Sequence, residues 1–282
     1  MSHPSTPPTP TVDLDAQRRS RREKDPRHWT RSPQVVVWQA DGQPFRGRGY
    51  GAAVAARLRR RGWSVEVVDQ RSQVVTDEIL AAPVHVLSGG ETSAFANDPA
   101  TVRSRRRVTA LARRAWADEV TLVGICLGAQ LLARAAAPEL PRSRPAKGME
   151  AGWQRVHGPC GHLSVAELHY EQIDPALATI DGITVTHANE ASPIQAFRWG
   201  PAAIGMQFHP EWSRRQAAQV LHRHRHVLEA HHHDPAGAYR SLDETSGPLG
   251  PDAFQQLVID PIARRLWGRE GPGVAPAHAI AV

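Results

Sequence analysis

The sequence predicts an α/β fold, in which helices cover both faces of an open, mostly parallel sheet. Short apolar segments alternate with helical patterns along the first half of the chain. This alternation is typical of parallel strands joined by right-handed crossovers. One apolar segment ends at Cys126, where a helical pattern begins at once. Functional sites of such sheets lie at the carboxyl ends of the strands, which is where this cysteine falls.

The elements of the first half follow in order. A run of apolar β-formers predicts a strand at 35–38, and a glycine-rich loop then leads to a helix over 50–61 that Gly62 ends. The next predicted elements are a strand at 65–69, a short helix at 77–80, a strand at 84–87, an arginine- and alanine-rich helix at 101–117 and a strand at 121–125.

The second half has fewer helices between its strands. Strands are predicted at 182–186 and 203–208, and an amphipathic helix is predicted from 213 to about 230. A further segment, 253–267, carries apolar residues at helical spacing. We therefore expect this segment to pack on the domain or on a partner.

The chain has 282 residues, enough for one sizeable α/β domain with flanking segments. Residues 1–33 are first rich in Pro, Ser and Thr and then charged, and we expect a disordered basic arm. Residues 34–230 are predicted to form the folded domain. Residues 231–282 are predicted to be a C-terminal extension with one helix and a loose tail.

Composition narrows the class of protein. The sequence has neither an apolar run of membrane-spanning length nor a signal-peptide core at its N-terminus. Its two cysteines, Cys126 and Cys160, do not support a disulfide framework, so a cytoplasmic protein is expected. The formal charge is +6, but the arginine clusters lie mostly on helical patterns with an apolar opposite face and are interpreted as solvated surface. Neither a membrane nor a nucleic acid is therefore expected as a partner.

A metal site is also considered, because His222 and His226 have the i, i+4 spacing that can chelate from a helix. No cysteine or paired carboxylate nearby completes a set of four ligands. The histidines are therefore interpreted as a polar face and linker, and no metal or cofactor is expected.

The segment Val123–Gln130 has the pattern of a nucleophile elbow, a sharp strand-to-helix turn that presents a reactive side chain. Gly124 and Gly128 flank Cys126, as close approach of the backbone requires. The N-terminus of the following helix favours a thiolate. Cys126 is therefore a candidate nucleophile, and the alternative is a structural cysteine on a buried strand.

His209 and Glu211 lie one residue apart in a second apolar segment. Residues i and i+2 of an extended segment project to the same side. Glu211 can then hold the His209 imidazole in the tautomer that leaves the other ring nitrogen free as a base. The order Cys…His-x-Glu therefore predicts a nucleophile, a base and an orienting group.

These motifs resemble those of the class I (triad) glutamine amidotransferases, whose glutaminase domains occur within larger enzymes and as free-standing proteins. The segments that carry the resemblance are Gly124–Gln130, Phe208–Glu211, Val86–Gly90, Gly152–Trp153 and His187–Arg198. The resemblance covers roughly residues 34–215. It implies the flavodoxin-like architecture of that family.

The resemblance also implies roles for individual residues. Cys126 would attack the γ-carboxamide of glutamine to form a γ-glutamyl thioester. His209 would take the thiol proton and then protonate the departing ammonia, and Glu211 would orient His209. The oxyanion hole would come from the backbone amides of Gly90 and Leu127, and the contact with bound glutamine from Gln130.

Two positions depart from the family pattern. Glu91 stands where many members have a proline after the glycine pair. His169-Tyr170-Glu171 matches the family's His-Gly-Asp segment only in part, so no glutamine-binding role is carried over to it.

The leading hypothesis is an enzyme that hydrolyses L-glutamine to glutamate and hands the ammonia to a separate synthase subunit. The alternative is a γ-glutamyl amide or peptide hydrolase with the same triad, because the triad cannot distinguish these substrates. A non-catalytic module on the same fold is a third reading, which loss of the nucleophile or base would favour. Cys126, His209 and Glu211 are all present.

Overall fold

The computed structural model describes residues 32–268 except 46–47, 73, 147, 160, 232–233 and 245–251. Most of the predicted basic arm, Cys160 and the predicted loose tail lie outside the described residues. The predicted domain boundaries therefore stay predictions.

A seven-stranded sheet forms the centre of the structure, with strand order β2-β1-β3-β4-β9-β8-β7. The strands of the chain are β1 (Val35–Gln39), β2 (Val65–Asp69), β3 (Val84–Leu87), β4 (Thr121–Ile125), β5 (Glu150–Gly158), β6 (Gly161–His169), β7 (Ile183–His187), β8 (Ala196–Trp199) and β9 (Ala203–Met206). The first five strands in that order are parallel. At the edge beyond β9, β8 pairs antiparallel with β9, and β7 pairs antiparallel with β8. The predicted α/β fold with a mostly parallel sheet is confirmed.

Helices connect the strands of the first half and follow the last strand of the second. They are α1 (Tyr50–Arg59), α2 (Asp77–Ala81), α3 (Pro99–Trp116), α4 (Leu127–Ala136), α5 (Arg214–Arg223), α6 (Arg225–Ala230), α7 (Pro235–Glu244) and α8 (Asp260–Trp267), with a 3-10 turn at Pro175–Thr179 and a π-helical turn at Gln255–Ile259.

Two apolar layers cover opposite faces of the sheet, because neighbouring residues of a strand point to opposite sides. Val35 and Val37 of β1 lie in one layer with α1 and the C-terminal helices, whereas Val36 and Trp38 lie in the other with α3 and α4. The segment predicted as a helix at 253–267 therefore packs on the domain itself. Its buried residues are Ala253, Phe254, Leu257, Val258, Ile259, Ile262 and Ala263.

Three features of the second half differ from the prediction. The antiparallel hairpin β5–β6 and the strand β8 were not predicted. The hairpin buries polar side chains, among them Glu150, Glu167 and His169, so it lacks the apolar alternation that marks a strand. The single helix predicted from 213 to about 230 is wrong, because the backbone turns at His224 and separates α5 from α6.

Candidate active site

Cys126 lies between the end of β4 and the first turn of α4, buried and in a strained conformation. Its φ of 50° is rare for a residue with a side chain. The turn is fixed on both sides, since the Cys126 amide donates to the Met206 carbonyl at 2.8 Å and its carbonyl accepts from the Gln130 amide at 3.0 Å. The predicted strand-to-helix elbow is therefore present.

Close backbone contacts explain why glycine flanks the cysteine on both sides. A Cβ atom on Gly124 would lie 2.6 Å from the Gly128 carbonyl oxygen. A Cβ atom on Gly128 would lie 2.5 Å from the Leu87 carbonyl oxygen. Neither carbonyl oxygen can move away to make room, because both belong to the backbone of packed elements.

His209 and Glu211 meet as the spacing predicted. The Nδ1 atom of His209 donates to Glu211 Oε1 at 2.8 Å, and both side chains are buried. On its other side the imidazole is close enough to the Cys126 side chain for the sulfur to raise its pKa both by charge and as a hydrogen-bond partner. Sulfur, imidazole and carboxylate thus form one connected chain.

The predicted strand over 203–208 is too long, because β9 ends at Met206, and His209 lies beyond it in an isolated antiparallel bridge with Ala166. The unpredicted hairpin supplies the support, since the His209 amide donates to the Ala166 carbonyl of β6 at 2.8 Å. The pairing of His209 with Glu211 therefore arises from an isolated bridge to β6 and the turn that follows it, and not from alternation along a strand of the sheet.

The electrostatic surroundings keep His209 protonated. Burial lowers the pKa of His209, but the Glu211 carboxylate and Cys126 outweigh burial and raise this pKa to about 10. At neutral pH the imidazole therefore carries a positive charge between an acceptor on one side and the sulfur on the other.

Aromatic rings surround the same imidazole. The Trp212 indole stacks on His209 with ring centroids 3.6 Å apart and planes 8° apart. The Tyr50 ring lies 6.1 Å from His209 and 6.2 Å from Trp212, centroid to centroid. These contacts hold the imidazole plane in one orientation.

The loop after β3 carries the two glycines of the predicted oxyanion segment. A Cβ atom on Gly89 would lie 2.6 Å from His209 Cε1 and 3.6 Å from Cys126 Cβ. Gly90 instead lines the cavity, together with Leu127. Glycine at position 89 thus leaves room for the His209 ring beside Cys126, and Gly90 lines the cavity that Cys126 also lines.

Asp41 holds this loop in place from the opposite side. Its Oδ1 atom accepts from the Glu91 amide at 3.1 Å and from the Thr92 amide at 3.2 Å, and its Oδ2 atom accepts from the Thr92 hydroxyl. Ser88 adds a second tie, because its hydroxyl accepts from the Ala40 amide at 3.1 Å. Two side chains therefore fix the backbone around Gly90: Asp41 from the loop after β1, and Ser88 from the start of the loop after β3.

A cavity of about 610 Å³ opens over Cys126. Gln130 lies on its wall, and its Nε2 atom donates to the Glu171 carbonyl at 3.0 Å. The Glu171 carboxylate, also on the wall, accepts from Ser93 at 2.8 Å and pairs with Arg142. The structure thus brings Gln130 next to the segment that matches the family pattern only in part.

A buried polar cluster lies beneath the cavity. Glu150, Glu167 and His169 bring one candidate ligand atom each within 4.8 Å of one another, so these three could hold a metal ion. Hydrogen bonds join these groups to one another and to a neighbour: His169 Nε2 donates to Glu167 at 2.6 Å, and Glu150 accepts from Gln195 at 3.1 Å, while Glu167 Oε1 is buried without a hydrogen-bond partner among the described residues. Burial raises the pKa of Glu167, and the Glu167 carboxylate outweighs burial to raise that of His169.

His222 of α5 and His226 of α6 do not form a chelating pair on one helix, because the chain turns between them at His224. In the part of the chain that the structure describes, these histidines do not belong to a metal-ligating group. His224, His226 and His231 line the cavity instead, which the sequence did not indicate. His232 and His233 lie outside the described residues.

Several side chains around the site were missed from the sequence. Trp212 directly follows the His-x-Glu motif, and this position in the sequence could have indicated that it lies at the site. Asp41, Tyr50 and His224 are distant in sequence from either motif, and only the fold brings them to the site.

With this geometry in place, comparison with known proteins identifies the family. The family model for class I glutamine amidotransferases matches residues 46–228 of this chain. The chain belongs to the class I glutamine amidotransferase family. The resemblance noted from its motifs is therefore confirmed.

Individual relatives agree with this assignment. The chain is 31% identical over 198 residues to the imidazole glycerol phosphate synthase subunit HisH of Moorella thermoacetica, which covers 62% of this chain and 89% of the relative. A glutamine amidotransferase structure from Thermotoga maritima aligns with a TM-score of 0.59 and 21% identity, covering 82% of this chain and 97% of that one. A glutamine amidotransferase from Methylobacillus flagellatus aligns with a TM-score of 0.55 and 22% identity, covering 83% and 89%.

Both structural comparisons show the shared fold.

Among the described residues, no helix combines the length and apolar character needed to cross a membrane.

Proposed function

We propose that this amidotransferase hydrolyses the γ-amide of L-glutamine through a thioester on Cys126. The observation that carries the proposal is the chain of interactions that runs from the Cys126 sulfur, which lines the cavity, through the His209 imidazole to the Glu211 carboxylate. A buried nucleophile, a charged imidazole and an orienting carboxylate are the parts that acyl transfer requires.

The first half of the reaction forms the acyl-enzyme. The Cys126 sulfur attacks the γ-carbonyl carbon, and the carbonyl oxygen becomes an oxyanion. The backbone amides of Gly90 and Leu127 donate to this oxyanion, and each donor of this kind is worth about 3 kcal/mol of transition-state stabilisation. His209 then gives its proton to the leaving nitrogen, the C–N bond breaks and ammonia departs.

The second half releases glutamate. Water enters on the side that ammonia has left, and His209, now neutral, takes a proton from it. The thioester opens and the sulfur is regenerated. Glu211 stabilises the imidazolium at each stage, and Gln130 contacts the glutamyl part of the substrate from the cavity wall.

The ammonia is proposed to serve a partner synthase in the cytoplasm. The relative from Moorella thermoacetica is by name a synthase subunit, and this likeness supports a similar arrangement for the present chain. The partner would then take up ammonia at the mouth of the cavity over Cys126.

The experiment measures glutamate and ammonia release from L-glutamine by the purified protein, beside a Cys126→Ala variant. Equal release of both products, abolished in the variant, is expected. Release that survives in Cys126→Ala would overturn the assignment of the nucleophile. Turnover of γ-glutamyl peptides without turnover of glutamine would favour the hydrolase alternative.

A further inference from the structure

Three polar side chains from separate elements meet at one corner of the cavity. The Tyr50 hydroxyl lies 3.5 Å from Glu91 Oε1 and 3.3 Å from His224 Nε2. The same His224 nitrogen lies 3.5 Å from Glu91 Oε1. All three residues line the cavity with Cys126, and Glu91 stands where many members of the family have proline.

Among the described residues, the Glu91 carboxylate at this corner has neither an arginine nor a lysine partner. Burial, reinforced by Glu91, raises the pKa of Tyr50 far above the neutral range, so the phenol keeps its proton. Burial lowers the pKa of His224 despite Glu91, so this imidazole is neutral at pH 7. In the described part of the chain, no arginine or lysine nitrogen lies within 4.0 Å of the Glu91 carboxylate, and its only ion-pair contact is with His224.

The corner adjoins His209, the proposed proton donor to the leaving group. His209, the proton donor to the leaving nitrogen, has the Tyr50 ring beside it at 6.1 Å. Glu91 follows Gly90 directly, so its carboxylate lies next to the proposed oxyanion donor. Gln130, the proposed contact of the glutamyl part of a substrate, lines the same cavity and donates to the Glu171 carbonyl at 3.0 Å.

The cavity is also larger than glutamine needs. A volume of about 610 Å³ equals that of roughly twenty liquid water molecules. Space therefore remains beyond the γ-nitrogen for a substituent on the leaving amine.

From these observations we propose that Tyr50, Glu91 and His224 form a leaving-group subsite for γ-glutamyl amides whose amine carries a second, positively charged amino group. The inference rests on the proposed Cys126 chemistry and extends its range of substrates. The bonds that form and break are the same as in the hydrolysis of glutamine. Cys126 displaces the amine, His209 protonates its nitrogen, and water releases glutamate, while the second ammonium group stays paired with Glu91.

The opposite preference has its own structural basis and serves as a competing outcome. Arg223, His226 and His231 line the same cavity, and the Arg223 guanidinium would attract an anionic substituent. A panel of substrates therefore distinguishes a preference for a cationic leaving group from a preference for an anionic one.

The experiment compares kcat/KM for three amides of matched length: γ-glutamyl-(4-aminobutyl)amide, γ-glutamyl-butylamide and γ-glutamyl-(4-aminobutyrate). The full-length wild-type protein is expected to favour the cationic amide over the neutral one by about two- to fivefold, as one partly exposed ion pair allows. Glu91→Gln is expected to bring this ratio close to one. The exposed Glu66→Gln is the matched control and is expected to keep the wild-type ratio.

A wild-type ratio of one or below, a preference for the anionic amide, or an unchanged ratio in Glu91→Gln would overturn the subsite. Glutamine turnover measured in the same preparations distinguishes this failure from failure of the proposed function. If glutamate is still released from glutamine in a Cys126-dependent way, the proposed function is supported and only the subsite is refuted.

Discussion

The Trp212 indole lies flat against the His209 imidazole, with ring centroids 3.6 Å apart and an interplanar angle of 8°. Because His209 is charged at neutral pH, this contact is a cation–π interaction as well as a steric support. The two residues lie three positions apart, and the turn after β9 brings their rings face to face.

Replacing Trp212 by leucine is expected to lower the pKa of His209 by about one pH unit, because a buried cation–π contact is worth about 1–2 kcal/mol. Trp212→Phe retains an aromatic face and should show a smaller change. Titration of the His209 ring signal by NMR measures both. Trp116→Phe, on a partly exposed tryptophan of α3, should leave this pKa in place, and an unchanged pKa in Trp212→Leu would contradict the role given to the stack.

Removing the Glu211 charge should move the pH profile of the enzyme. Glu211 is the largest of the influences that raise the pKa of His209 to about 10, so Glu211→Gln lowers this pKa and shifts the alkaline limb of kcat/KM to lower pH. The fall in kcat is expected to be on the order of 10²- to 10⁴-fold. The exposed Glu229→Gln should reproduce the wild-type profile, and an alkaline limb that stays in place in Glu211→Gln would refute this coupling.

The same titration affects folding stability. The folded-state pKa of His209 lies above its ordinary value of 6.5, so its contribution to the free energy of unfolding is complete below pH 6.5. This contribution is lost as the pH rises through about 10. Urea unfolding at several alkaline pH values should show a smaller loss for Glu211→Gln than for wild type.

Much of this arrangement follows from sequence and some of it does not. The elbow at Cys126 and the closeness of His209 to Glu211 are local, so a few neighbouring residues predict them. The support of His209 by Ala166 is non-local and uses a hairpin whose buried polar residues hide its strand pattern. Tyr50, Glu91 and His224 are separated by up to 174 positions, and only the fold brings them together.

Asp41 is expected to act on the reaction through the loop that carries Gly90. Asp41→Asn weakens the bonds to the Glu91 and Thr92 amides, so we expect kcat for glutamine to fall by about tenfold or more while KM changes little. Thr92→Val removes only the hydroxyl contact with Asp41 and should cost less. A rise in KM at constant kcat in Asp41→Asn would instead indicate a role in substrate binding.

Gly128→Ala is expected to destabilise the fold, because the new methyl group would lie 2.5 Å from the Leu87 carbonyl oxygen. The free energy of unfolding should fall by about 1–3 kcal/mol or more, as in other overpacked sites. Gly51→Ala is the comparison, since its Cβ atom would meet a Val37 methyl group at 3.1 Å, and a smaller loss is expected there. Urea unfolding measures both variants, and equal losses would contradict the special closeness at Gly128.

The most direct test of the central claim is to trap the acyl-enzyme. The protein is quenched in acid during turnover of L-glutamine and digested, and the peptide that contains Cys126 is weighed by mass spectrometry. The account predicts a γ-glutamyl group on Cys126 that disappears when turnover is complete and is absent from Cys126→Ala. A γ-glutamyl group on another residue, or continued glutamate release by Cys126→Ala, would contradict it.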